Sequence, residues 1–169
     1  FLTIAAAGVT AASFNVPTIG RANTSEIYQL RAGEANANLI GDGTSSENCW
    51  LYNASCPGPL LRRRKGETLN VAVINDLSNP TTVHWHGIRN VNEMDGVADL
   101  TQPPIEPGEQ FLYKVPLTES GTYWYHAHTM GWEQVARGLY GPLIIDDDDD
   151  PAVDHDFTLM IDDWRLTQD

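Results

Sequence analysis

From Leu69 onward the chain is punctuated at short, even intervals. β-rich runs at Leu69–Ile74, Thr82–Ile88, Gln110–Val115, Gly121–His126 and Leu139–Ile145 are separated by Asn-Asp, Asn-Pro, Pro-Pro-Ile-Glu-Pro-Gly and Glu-Ser-Gly turn signals. Runs this short, rich in Val, Ile, Thr, Tyr and Trp, suit a pleated, half-buried surface, and the breakers between them leave no room for long helices. The rhythm predicts an all-β fold, an antiparallel Greek-key β-sandwich or barrel. Upstream, Ile27–Leu30 reads as a further strand in Gly/Asn/Ser-rich surroundings, and Trp132–Arg137 could form one short helical turn after Gly131.

A length of 169 residues suits one domain with a short piece of another. The expected division is residues 1–22 as the remnant of an export signal and a loose start, 23–150 as the domain, and 151–169 as a linker end and the first strand of a following domain. Phe1–Ser13 (FLTIAAAGVTAAS) has the length and texture of a signal-peptide core and is too short to span a bilayer, so export to the periplasm or the extracellular space is expected. An ordinary short strand or helix is the alternative. Asp146–Asp150, closed by Pro151, reads as a solvated linker, with cation capture the other option. Beyond it Phe157–Ile161 reads as a strand.

The formal net charge of −13 repels phosphate and anionic lipid, so neither nucleic acid nor a membrane surface is an expected partner. Arg62-Arg63-Arg64-Lys65 is too short to reverse that and reads as a solvated strand end. In an exported chain Cys49 and Cys56 are read naturally as a disulfide, with two free buried thiols as the alternative.

Two of the β runs carry His-x-His units, His84-Trp85-His86 and His126-Ala127-His128. Residues i and i+2 of a strand share a face, so each unit points two imidazoles one way while Trp85 and Ala127 point the other. Were the two strands neighbours, four histidines would converge on one patch. Clustered imidazoles without a ligating cysteine favour copper or zinc. The fifth histidine, His155, lies between aspartates and reads as a surface residue.

Taken in order, TTVHWHGI, MDGV, TQPPIEPGEQFLY, GTYWYHAH and GLYGPLII, with YNASCPGPLLRRRKGETLNV upstream, resemble the first domain of multicopper oxidases such as laccases and bacterial copper-efflux oxidases. The similarity runs from about Cys49 to Asp169. It implies a cupredoxin-like sandwich and a trinuclear copper centre that reduces O₂ to water. By the family pattern His84 would bind the type 2 copper, His86 and His126 would share one type 3 copper, and His128 would bind the other. Asp95 matches the acid that supplies protons beside the centre; an Asp-Gly turn is the plainer reading of the same residue.

The resemblance also implies what must come from elsewhere. The family's centre uses twice as many histidines as this chain offers in motif context, and the His-Cys-His segment that carries the type 1 copper is absent. The expected partners are therefore O₂, a reducing substrate (a phenol, a pigment or a metal ion) and the remaining cupredoxin domains of a longer protein or a neighbouring subunit. A copper-sequestering module without turnover is the alternative function. Copper binding by the isolated chain should weaken as pH falls through about 6.5, where free imidazole protonates.

Overall fold

The computed structural model describes residues 26–39, 41–43 and 45–165. The expected export-signal remnant at 1–22 lies outside the described residues. Among the described residues there are eight strands, β1 Ile27–Ala37, β2 Ser46–Tyr52, β3 Leu61–Arg64, β4 Thr68–Asn75, β5 Val83–His86, β6 Gln110–Pro116, β7 Gly121–Ala127 and β8 Tyr140–Asp146, with a 3₁₀ turn at Asn92–Met94 and one α-helical turn, α1, at Gly131–Gln134. They form two four-stranded sheets, ordered β2-β1-β4-β6 and β3-β8-β7-β5.

Alternation along the strands builds the core between the sheets. On β4, Leu69, Val71 and Val73 are fully buried while Asn70 and Ala72 face outward; Leu30, Tyr113 and Val115 line the same layer, and Val83, Trp85, Tyr125, Leu143 and Ile145 close it from the second sheet. Burying each such side chain stabilises the fold by about 1.5–3 kcal/mol relative to leaving it in water.

The sheets are mixed and not purely antiparallel. β1 pairs parallel to β4 (Ile27↔Asn70 to Ala32↔Asn75) and β3 parallel to β8 (Leu61↔Leu143 to Arg64↔Asp146). Parallel neighbours must be joined by long excursions, here through other strands, and a single strand's apolar pattern carries no sign of its partner's direction.

The basic run does end a strand, with Arg64 and Lys65 exposed, but Arg63 is buried rather than solvated. It forms β3, where the Arg63 guanidinium lies 4.2 Å from the centre of the Tyr28 ring and donates to the Tyr28 hydroxyl at 2.6 Å and to the Glu26 carboxylate at 3.2 Å, so an arginine is buried with its charge satisfied. The acidic run beyond Asp146 is a solvated loop, as expected, but its first members are paired. Asp146 ends β8 and takes a two-pronged contact from Arg62; Asp147 accepts from Lys65 and Asp148 from Arg64, each at 2.8 Å. The parallel β3/β8 register lays one charge run alongside the other.

Residues 151–165 contain no regular strand. The segment is tied down by an Arg62–Asp156 ion pair at 2.9 Å and a Tyr140–Asp162 hydrogen bond, and it leaves Phe157, Leu159 and Ile161 exposed. The expected strand at Phe157–Ile161 has the alternation but no ladder partner among the described residues, and a strand exists only as a member of a ladder. Cys49 and Cys56 are free thiols rather than the expected disulfide; Cys49 Sγ donates to the Ser46 carbonyl at 3.6 Å, and Cys56 Sγ lies 3.4 Å from the Tyr140 hydroxyl. Burial pushes both thiols up, away from thiolate. Among the described residues no helix is long and apolar enough to cross a membrane.

Candidate metal centre

Among the described residues β5 is the edge strand of its sheet and pairs with β7. Val83 and Trp85 face inward, fully buried; Trp85 packs edge-on against Tyr113 with ring centres 5.4 Å apart, and the Tyr113 hydroxyl accepts the Val83 N–H at 3.0 Å. This anchorage turns His84 and His86 outward. On β7, Tyr125 and Ala127 are buried, which turns Trp124 and His126 to the same outer face. The register sets His84 opposite His126 and His86 opposite Trp124. Directly opposed residues have Cβ atoms about 5 Å apart, so the pairing alone places imidazoles within reach of one ion.

The ligand nitrogens of His84, His86 and His126 all lie within 4.8 Å of one another. His128, one residue past β7 and exposed, stands at the rim: its ring centre is 5.2 Å from that of His84 and 6.1 Å from that of His126, over which it stacks. The four expected histidines therefore share one face, three of them in a tight group. His155 is exposed in the trailing segment, against Phe157.

Backbone carbonyls orient two of the rings. His84 Nδ1 lies 2.8 Å from the Asp95 carbonyl and His126 Nδ1 lies 2.9 Å from the Ala127 carbonyl. A carbonyl only accepts, so Nδ1 carries the hydrogen in both and Nε2 is left with its lone pair. His86 turns its other nitrogen to the cluster: its Nδ1 lies 3.3 Å from His126 Nε2 and, with no metal between them, donates to that lone pair. Two imidazoles sharing one ion at ordinary metal–nitrogen lengths stand about 3.3 Å apart, so this pair fits a shared metal. The donor set, all imidazole with no thiolate, fits copper or zinc.

Burial lowers His126 to about 4; repulsion from His84, His86 and His128 acts the same way, against a smaller upward pull from the Ala127 carbonyl. The expectation that every ligand would protonate near 6.5 is therefore corrected for His126, which stays neutral and ligand-ready into the acidic range.

Asp95 follows a 3₁₀ turn at Asn92–Met94. Its carboxylate is 3.5 Å from His84 Nδ1 and one-third exposed, so it sits beside the cluster without joining it. Trp124 is a further member of the site that the sequence reading omits: its ring centre is 4.2 Å from His126 and 5.0 Å from His86, bracing both. Period-two alternation places it on the histidine face, which was the available signal. After His128 the chain turns through Met130 into α1, where buried Gln134 accepts from the Thr81 hydroxyl at 2.7 Å and donates to the Pro80 carbonyl at 2.9 Å, strapping the His128 loop to the segment before β5.

Comparison with known proteins agrees with this geometry. The multicopper oxidase family model matches residues 35–150. Copper resistance protein A of Pseudomonas syringae pv. tomato is 39% identical over 139 residues, covering 81% of this chain and 22% of that protein. Laccase-2 of Thanatephorus cucumeris is 45% identical over 125 residues, covering 69% and 20% respectively. The crystal structure of a multi-copper oxidase from Pseudomonas thermotolerans aligns with a TM-score of 0.72 at 40% identity, over 77% of this chain and 31% of that one. The chain thus spans about a fifth of the length of these curated relatives. With an all-β sandwich, a histidine cluster on its edge and a family match across most of its length, the chain is a cupredoxin domain that belongs to the multicopper oxidase family.

Proposed function

We propose that this chain is the copper-binding first domain of an exported multicopper oxidase and supplies half the histidine ligands of a trinuclear centre. In this reading His84 holds the type 2 copper, His86 and His126 one type 3 copper, and His128 the other. The observation that carries it is the convergence of His84, His86 and His126 within 4.8 Å on the outer face of an edge strand pair. Copper held by these histidines would supply electron transfer to O₂, with the electrons drawn from a phenol, pigment or metal ion oxidised at a type 1 copper elsewhere in the longer protein.

The chain's own residues do the rest. Carbonyls of Asp95 and Ala127 fix the rings of His84 and His126 so that Nε2 faces the metal side. Trp124 limits rotation of His86 and His126 and screens them from water on one side. The Asp95 carboxylate, near His84 yet partly open to solvent, can take a proton from water and pass it towards reduced oxygen. Remaining ligands and the electron path come from other cupredoxin domains or a neighbouring subunit. A second reading, copper sequestration without turnover, is favoured by the relatives that are named copper resistance proteins.

Copper titration by calorimetry and visible spectroscopy tests the assignment on the chain itself. The chain should bind copper without turning blue, since intense blue needs a copper–thiolate bond and neither cysteine stands in the histidine group. A His86→Ala/His126→Ala variant should lose most of that affinity; equal binding would overturn the site. Oxygen uptake by the longer protein with a phenol separates oxidase from sequestering module.

A further inference from the structure

The contact that orients His84 depends on a residue with no side chain. Gly96 follows Asp95 directly, has φ +80, and a Cβ built on it would collide with the Val83 carbonyl oxygen and carbon and lie 3.0 Å from the His84 main-chain nitrogen. Only a glycine lets the Asp95–Gly96 backbone lie flat against β5 at that point, because the conformation strains any L side chain and the space is already filled by main chain. The turn is wedged from its other side too. The Asn90 amide donates to the Met94 carbonyl at 2.7 Å, the Asp95 N–H donates to the Asn92 carbonyl at 3.2 Å, and Met94 Sδ accepts the Lys114 N–H of β6 at 3.3 Å. Pressed between β6 and β5, the turn delivers the Asp95 carbonyl to 2.8 Å from His84 Nδ1, whereas the Asp95 carboxylate stops at 3.5 Å.

We infer that Gly96 is the positioning residue of His84: by allowing the turn to close on Val83 it brings the Asp95 main-chain carbonyl to Nδ1, which fixes the tautomer and the ring so that Nε2 is the ligand atom. Asp95 then has two separable roles, a backbone role in orientation and a side-chain role in proton supply. The inference deepens the copper reading and rests on His84 being a ligand there. A methyl at Gly96 pushes the turn away from β5, lengthens the carbonyl contact and frees the ring to adopt either tautomer. An Asp95→Asn change leaves the carbonyl in place.

Nitrogen-15 NMR of the histidine rings in the metal-free chain reads the tautomer directly, and Cu(II) titration of the same samples reads its consequence. Expected are a single Nδ1–H tautomer for His84 in the unmodified chain and in Asp95→Asn, and a mixed tautomer in Gly96→Ala with copper affinity lowered about 10- to 100-fold, the usual loss on removing an outer partner of a metal ligand. An Nε2–H tautomer in the unmodified chain overturns the inference. So does a folded Gly96→Ala variant that keeps both tautomer and affinity, or an Asp95→Asn variant that loses the tautomer. Should Gly96→Ala not fold, the first and last of these measurements decide the matter. Because the tautomer is read without copper, its failure is distinct from a failure of copper binding.

Discussion

His126 and Asp95 make opposite demands on protons, and each can be measured. His126 is lowered in the folded chain to about 4, below the roughly 6.5 of an unfolded histidine, so as pH falls the unfolded chain takes up its proton first. The stability this neutral histidine permits is therefore complete above about 6.5 and is lost progressively toward about 4. Urea midpoints of the metal-free chain across that window should fall more steeply than those of a His126→Asn variant; parallel slopes would mean that His126 titrates as an exposed ring does. Asp95→Asn in the longer protein should keep copper content and slow oxygen reduction by about 10²–10⁴-fold, the usual worth of a positioned general acid. Turnover unchanged across the acidic range would reduce the carboxylate to a turn residue.

Among the elements, β5 and β7 carry the ligands, but α1 decides where the loop beyond them goes. One turn of helix has little stability of its own, and this one is held by Gln134, fully buried between Thr81 and Pro80. Gln134→Met fills similar space, leaves the Thr81 hydroxyl only its 3.4 Å contact with the Thr82 carbonyl and removes the donor to the Pro80 carbonyl, which should cost about 2 kcal/mol in chemical denaturation. It should also loosen His128 more than His86, visible as broadened His128 ring signals. A neutral effect on stability would show that water replaces both bonds.

Over the whole molecule the excess of negative charge is partly absorbed by one seam, where β3 and β8 run parallel. The contacts in it are unequal. Arg62 and Asp146 meet in a two-pronged, mostly covered pair, whereas Arg64 and Asp148 are 51% and 93% exposed. Exposed pairs contribute about 0–1 kcal/mol and are screened by salt. Arg62→Ala should therefore cost about 1–2 kcal/mol and Arg64→Ala less than about 0.5, with only the Arg64 effect vanishing in molar salt. Equal costs would mean that the seam acts by net charge and not by geometry. Asp156 shares Arg62, so the same substitution should release the segment after Pro151 to proteolysis.

Local pattern determined a good deal. Alternation with turn residues places β4 to β8 within about two residues of their bounds, because side-chain period and breakers act over a few neighbours. The two His-x-His units announce a metal face for the same reason: residues two apart on a strand must share a side. What local pattern does not carry is partnership. β2 and β3 are strands through their neighbours, and three consecutive arginines become a strand because Tyr28, Glu26 and Asp146 are brought to them from distant sequence. Phe157–Ile161 has strand alternation, but no ladder partner for it lies among the described residues. The tight grouping of His84 with His126 and the bracing of His86 by Trp124 depend on a register between segments about forty residues apart, while the Asp95 carbonyl reaches His84 through a turn that the main chain and not the side-chain sequence shapes. Residue type and spacing made a metal site available; the long-range register decided which nitrogens face it.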